Sequence, residues 1–394
     1  ASSAHIEYHA RIIAQKYLAR ELISFTAMIQ GKAFDETIDV DDLMQEAEGK
    51  LFEISQRNVK KDVTQINPVI KDAMDMLQRA ATQKEGLSGL RTGFEGLDKI
   101  TSGWQNSDLV IIAARPAMGK TAFVLSMAKN MAVNYNIPVA LFSLEMSNVQ
   151  LVNRLIVNVC EIPGEKIKSG RLESYEWEQL DFKIKELYDA PIYIDDTPSL
   201  SVFELRTKAR RLVREHGIRC IIIDYLQLMN ASGMNFGSRE QEVSMISRSL
   251  KGLAKELNIP IIALSQLNRG VEARQGAEGK RPQLADLRES GAIEQDADMV
   301  CFIHRPEYYK ITEDERGNSL LGLAEIIIAK HRNGATGDVR LRFKNEFAKF
   351  MNIEEDVAVR EFSSGMNNPL AQNPPMNDVN SQFLAMGNSD EVPF

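Results

Sequence analysis

Leu109-Val110-Ile111-Ile112-Ala113-Ala114-Arg115-Pro116-Ala117-Met118-Gly119-Lys120-Thr121 is the stretch that decides the fold. Its first five residues are an unbroken apolar run of strand length, the pattern of a strand buried on both faces. The next eight, Ala114, Arg115, Pro116, Ala117, Met118, Gly119, Lys120 and Thr121, form a loop that opens a helical pattern over Thr121 to Val133. Strand, loop and helix in that order are the context a phosphate-binding loop requires. In such a loop backbone amides and the helix N-terminus cradle phosphate oxygens, Lys120 reaches the β- and γ-phosphates, and the Thr121 hydroxyl is placed for Mg²⁺. The generic pattern begins with Gly, so Ala114 adds one methyl group and calls for a permissive backbone there.

Working outward, similar apolar, β-branched runs recur at Val139–Ser143, Ile192–Ile194, Cys220–Ile223, Ile261–Leu264, Met299–Ile303 and Glu325–Ala329, with helical segments between them. This alternation predicts an α/β fold: a RecA-like P-loop NTPase core on a mostly parallel sheet covered on both faces. Ligands gather at the carboxyl ends of such strands. Asp224 closes one of them, the expected place for a Mg²⁺-linked carboxylate. Tyr225 follows it, so the base that activates water is not adjacent, and Glu145 at the tip of Val139–Ser143 is the candidate. Gln266, just beyond Ile261–Leu264, is placed to sense the γ-phosphate. The bland alternative for Gln266 is a surface amide at a strand end.

Upstream, residues 5–30 and 39–56 carry apolar positions at helical spacing and predict a helical hairpin. His5 and His9 flank Glu7 there, but the spacing departs from the zinc-protease pattern and no third ligand is evident, so a solvated helix face is favoured. A further helix is expected over Pro68–Gln83, ending in the glycine-containing run Lys84–Gly89. The last 30 or so residues, rich in Asn, Pro, Met, Ser and Gly, read as a disordered tail. The expected divisions are 1–60 for the hairpin, 61–89 for a linker with its helix, 90–362 for the ATPase core and 363–394 for the tail.

The chain has 394 residues, 44% of them apolar, enough for a sizeable core, and a net charge of −8 that argues against coating nucleic acid with the whole surface while allowing a local basic channel. Cys160, Cys220 and Cys301 lie in or beside apolar runs without metal-site spacing, as buried reduced thiols of a cytoplasmic protein would. No run approaches the roughly 18 apolar residues of a membrane span, and no signal-peptide core is present. The opening Ala-Ser-Ser in place of Met, leading straight into a helix, is what a chain lacking its N-terminal part would show.

The combination Ala114–Thr121, Phe142–Met146, Asp224–Met229, Ser265–Arg269, Asp286–Gly291 with Gln295–Asp298, and Lys330–Gly334 resembles the DnaB-type replicative DNA helicases. The resemblance implies an ATP-dependent homo-hexameric ring that encircles single-stranded DNA, moves 5′ to 3′ and unwinds duplex at the fork, with primase and a helicase loader as partners. It also implies roles. Lys330 and Arg332 match residues that enter the neighbouring subunit's site, Arg332 as an arginine finger, although Lys330-His331-Arg332 alone would read as a solvated basic turn. Arg154 matches an arginine near the nucleotide base, with a surface salt bridge as its alternative. Arg288, Glu289 and Gly291 fall on the DNA-contacting loop, and the helix Pro68–Gln83 matches the one that docks on the adjacent motor domain. The hairpin matches only the latter part of the family's collar domain, which puts primase contact in question. Two other readings of the core stay open at this point: a RecA-like strand-exchange protein and a KaiC-like nucleotide-dependent assembly ATPase.

Overall fold

The run Leu109–Ala114 is strand β1, near the centre of a nine-stranded sheet ordered β3-β2-β4-β5-β1-β6-β7-β8-β9. This computed structural model describes residues 3–58, 66, 67, 70, 71, 74, 75, 78, 87–231, 237–274, 276–287 and 291–353. The other strands are β2 (Val139–Ser143), β3 (Ile192–Asp195), β4 (Cys220–Asp224), β5 (Ile261–Gln266), β6 (Met299–His304), β7 (Leu323–His331), β8 (Gly337–Lys344) and β9 (Lys349–Met351). Neighbours from β3 through to β6 pair in parallel, and β7, β8 and β9 continue the sheet antiparallel. Each strand expected from an apolar run is present. β8 and β9 have no counterpart among those apolar runs, so the sheet is more mixed at that edge than a continuous-run pattern suggests.

Alternation along β1 places successive side chains on opposite faces. Val110, Ile112 and Ala114 pack with Phe123, Val124 and Met127 of the helix Lys120–Lys129 in one core. Leu109, Ile111 and Ala113 join Leu205 and Ala209 of the helix Val202–His216 and Val243, Ile246 and Leu250 of the helix Arg239–Leu257 in the other. With both faces dry, β1 and its neighbours are a rigid platform for the loops at their ends. The helix after β1 is regular over Lys120–Lys129 and widens into a π turn over Asn130–Asn134, so it is α-helical for less than the predicted Thr121–Val133.

The helices Ser3–Ala33 and Val40–Asn58 correspond to the expected hairpin and pack on each other, with Lys32 pairing with Glu46 at 2.5 Å beside the connecting turn. Of the helix expected over Pro68–Gln83, positions 70, 71, 74, 75 and 78 are helical and the rest lie outside the described residues, as does the whole expected tail. The three cysteines are buried free thiols. Among the described residues no helix is long and apolar enough to cross a membrane.

Candidate nucleotide-binding site

Ala114 is the last residue of β1, fully buried and in register with Gln266 of β5. Its backbone is that of a strand, which any L-residue adopts, so the methyl group that departs from the generic loop is simply part of the core. The unusual backbone lies further on, at Ala117 (φ 63°) and Gly119 (φ 95°). Gly119 precedes the helix Lys120–Lys129, and a Cβ there would sit 3.2 Å from the ring of Phe350. Conformation and space both call for glycine at this position.

The loop is braced by side chains. Arg115 is buried; its Nη1 donates to Leu267 O at 2.8 Å and its Nε to Glu272 Oε1 at 2.8 Å, tying the loop to the segment after β5. Because this side chain is buried as well as paired, its backbone is the part able to face phosphate. Arg305, just past β6, stacks over Phe343 with 4.0 Å from its guanidinium carbon to the ring centroid and donates to Ala117 O at 3.3 Å. Sequence reasoning missed Arg305, because a single basic residue before Pro306 carries no pattern of its own.

Beneath the loop the Thr121 hydroxyl donates to Asp224 Oδ2 at 2.7 Å. The Asp224 carboxylate is 2% exposed at the end of β4, and burial raises its pKa against the lowering effects of the Thr121 hydroxyl and the Lys120 charge. Burial lowers the Lys120 pKa to about 8, opposed by Asp224 and Glu145. The Lys120 ammonium lies 5.5 Å from the centroid of the Tyr225 ring. One hydroxyl and one carboxylate suit Mg²⁺, which keeps water and phosphate ligands and takes few from protein. Among the described residues no group of three His, Cys, Asp or Glu side chains competes as a metal site.

Glu145 is exposed at the tip of β2. Ser143 is in register with Asp224, and Leu144 N–H donates to Asp224 O at 2.8 Å, so the two carboxylate-bearing strand ends are neighbours. A turn closed by Ser143 Oγ donating to Met146 O at 2.8 Å leads into the helix Asn148–Cys160, whose start has a reciprocal Ser147–Gln150 capping box. Arg154 is exposed on that helix, and its charge reaches Asp224. Gln266 ends β5 beside Ala114, and Gln227, just past β4, ties that segment to the end of β5 by donating to Ser265 Oγ at 2.8 Å and accepting from Gln266 N–H at 3.4 Å. Lys120, Thr121, Glu145, Asp224 and Gln266 therefore share the carboxyl edge of the parallel strands.

Lys330 and Arg332 do not. Because β7 runs antiparallel, Lys330 and His331 sit opposite Val300 and Met299 at the start of β6, and Met299 in turn pairs with Val110 near the start of β1. The four steps from Val110 to Ala114 along β1, about 13 Å at roughly 3.3 Å per residue, separate this edge from the same chain's loop. Lys330 Nζ donates to Glu294 O at 2.5 Å and Ala297 O at 2.9 Å, and Arg332 Nη1 donates to Asp298 Oδ1 at 3.2 Å. Arg288 and Glu289 lie outside the described residues, whereas Gly291 is exposed and opens the helix Gly291–Asp296.

With this geometry in place, the comparisons with known proteins agree on one family. Residues 89–352 match the DnaB-like helicase C terminal domain. The chain is similar to the Replicative DNA helicase DnaB of Geobacillus stearothermophilus, 45% identical over 353 residues that cover 90% of this chain and 76% of that protein. It is also similar to the Replicative DNA helicase DnaC of Bacillus subtilis (strain 168), at 44% identity with the same coverage of each. A solved structure titled "The Structure Of A DnaB-Like Replicative Helicase And Its Interactions With Primase" superimposes with a TM-score of 0.66 and 37% identity, covering 90% of this chain and 81% of that one. These relatives displace the strand-exchange and KaiC-like readings, and the chain belongs to the DnaB-type replicative DNA helicases, enzymes that spend nucleotide hydrolysis on unwinding DNA.

Proposed function

We propose that the chain works in the cytoplasm as a homo-hexameric ring on single-stranded DNA, moving 5′ to 3′ with ATP and Mg²⁺, and that each ATP site is completed by a neighbour. The observation that supports the composite site is the placement of Lys330 and Arg332 on the sheet edge opposite their own loop. In a heterologous ring each subunit presents one edge to the next, so such a pair meets the neighbour's site at every interface.

In this reading the amides from Ala114 to Thr121 and the Lys120 ammonium hold the phosphates. Thr121 and Asp224 hold Mg²⁺, which when bound neutralises charge on the β- and γ-phosphates. Glu145 orients the attacking water and takes its proton, Gln266 reports the γ-phosphate to the segment after β5, and Arg154 faces the nucleotide. The neighbour's Arg332, with its Lys330, stabilises charge on the transferred phosphoryl group. Arg288, Glu289 and Gly291 contact the DNA backbone without reading bases, as a motor that moves over any sequence requires. Primase and a helicase loader are the proposed partners. Unwinding of a forked duplex with ATP and Mg²⁺, beside a native mass measurement, tests the proposal. A wild-type hexamer that hydrolyses ATP without DNA stimulation and separates no strands would reject it.

The depressed Lys120 pKa gives a pH signature. Below about pH 8 the ammonium is already charged in the nucleotide-free protein; above it the side chain is neutral, and ATP must bind with uptake of a proton. ATP affinity is therefore expected to be flat up to pH 8 and to weaken by about tenfold per unit just above it. Titration calorimetry in buffers of different ionisation enthalpy measures both quantities. Absence of proton uptake at pH 9 would remove Lys120 as the group responsible.

A further inference from the structure

The edge that carries Arg332 converges on a buried carboxylate, Asp298, at 4% exposure, with a second buried carboxylate, Asp108, 3.8 Å from the Lys251 ammonium. Asp298 Oδ2 accepts the N–H of Leu109, the first residue of β1, at 2.8 Å and is also hydrogen-bonded by the Lys251 ammonium. Lys251 comes from the helix Arg239–Leu257 and donates as well to Ser107 O at 2.7 Å. The other oxygen, Oδ1, accepts from Arg332 Nη1 at 3.2 Å. The backbones agree: Asp298 N–H donates to Leu109 O at 3.0 Å and Arg332 N–H to Asp298 O at 2.8 Å. Arg332 Nη2 donates to Gln295 O at 2.5 Å, so both ends of the guanidinium fork are held, although the side chain is 47% exposed.

A half-exposed arginine in solution samples many rotamers, and ordering it at the moment of reaction costs entropy. A finger already held in one plane avoids that cost, and displacement by about 1 Å from a catalytic geometry is enough to lose orders of magnitude in rate. We propose that Asp298 is a positioning residue: its Oδ1 presents Arg332 to the neighbouring subunit's phosphates, while Oδ2, satisfied by Leu109 and Lys251, fixes the carboxylate to the start of the strand that carries the chain's own loop. The inference rests on the proposal that Arg332 acts in a neighbour's site. It also gives β1 two tasks, with the phosphate loop at one end and the anchor of the outgoing finger at the other.

The carboxylate's two environments make Asp298→Asn a selective test. Oδ2 faces two donors, so the amide must turn its oxygen towards Leu109 and Lys251 and its NH₂ towards Arg332. An acceptor for the guanidinium becomes a donor, and the buried N–H of Leu109 keeps its partner. Steady-state ATP hydrolysis is measured for the intact assembly of wild type, D298N, R332A and D298N/R332A, with melting temperature and native mass recorded for each. The expected result is a fall of about tenfold in kcat for D298N with KM for ATP within about twofold, and a double variant no slower than R332A, because a positioning residue has nothing left to position once the finger is gone. Should D298N fail to assemble, Asp298→Glu, which keeps the charge but moves the oxygens by one methylene, enters the same cycle. Wild-type kcat in D298N, or a double variant slower than R332A by the full D298N factor, would overturn the inference while leaving the composite site standing. Wild-type kcat in R332A would overturn the composite site, and the inference with it.

Discussion

Arg332→Ala is expected to lower kcat for ATP hydrolysis by about a thousandfold, the low end of what an arginine finger contributes, while nucleotide affinity stays within a few-fold of wild type. The expectation follows from position. Arg332 is held at the start of β6 by Asp298 and Gln295, on the far side of the sheet from its own Lys120, so its removal subtracts no contact from the nucleotide its own chain binds. In the proposed composite site, what it subtracts is charge stabilisation that exists only as the neighbour's phosphoryl group transfers, and an interaction confined to the transition state appears in kcat and not in binding. Fluorescent-nucleotide binding and phosphate release on the same preparation separate the two quantities. Loss of binding to the same extent as turnover would contradict the assignment.

Lys120→Ala is expected to lower kcat/KM for ATP by at least about a hundredfold and to abolish strand separation. Unlike Arg332, Lys120 lies in the chain's own proposed phosphate site: burial depresses its pKa, and Asp224 and Glu145 favour its charged form. Replacement by alanine leaves the buried Asp224 carboxylate with Thr121 as its hydrogen-bond partner and without its nearest cation, so its pKa rises further, and the substitution takes from the proposed site the positive charge offered to the phosphates. Affinity and turnover therefore fall together, and this contrast with Arg332→Ala separates the two halves of the site. An unwinding rate near wild type in Lys120→Ala would remove the loop from the mechanism.

The loop and the strands around it were legible in the sequence because strands buried on both faces must be apolar without interruption, and Val139–Ser143, Cys220–Ile223 and Met299–Ile303 satisfy that rule. β8 was not read by the same rule because one of its faces is wet. Val339, Leu341 and Phe343 are buried while Asp338 and Arg340 point outward, an alternation that needs a period-two search. Glu145 and Asp224 were recoverable as carboxylates at strand tips. Lys330 and Arg332 were not recoverable from the residues alone, since a basic turn after a strand is usually solvated, and only the resemblance to DnaB-type helicases singled them out. Arg305 carries no local signal, and Gln227 and Asp298, though inside segments that carry the resemblance, show nothing of their contacts there: each matters through a partner far along the chain, Ala117, Gln266 and Arg332 respectively, which only the folded sheet brings near. The positions of Arg288 and Glu289 rest on resemblance, as they lie outside the described residues.

The central claim is that no subunit completes its own ATP site, and mixing two inactive variants tests it most directly. A Lys120→Ala subunit lacks a working loop but keeps its finger; an Arg332→Ala subunit keeps its loop but lacks the finger. In rings assembled from equal amounts of both, roughly a quarter of the interfaces pair an intact loop with an intact finger. ATP hydrolysis is expected to return in the mixture, well above the sum of the two variants measured apart. Hydrolysis no greater than that sum, in rings shown by native mass to contain both variants, would contradict it.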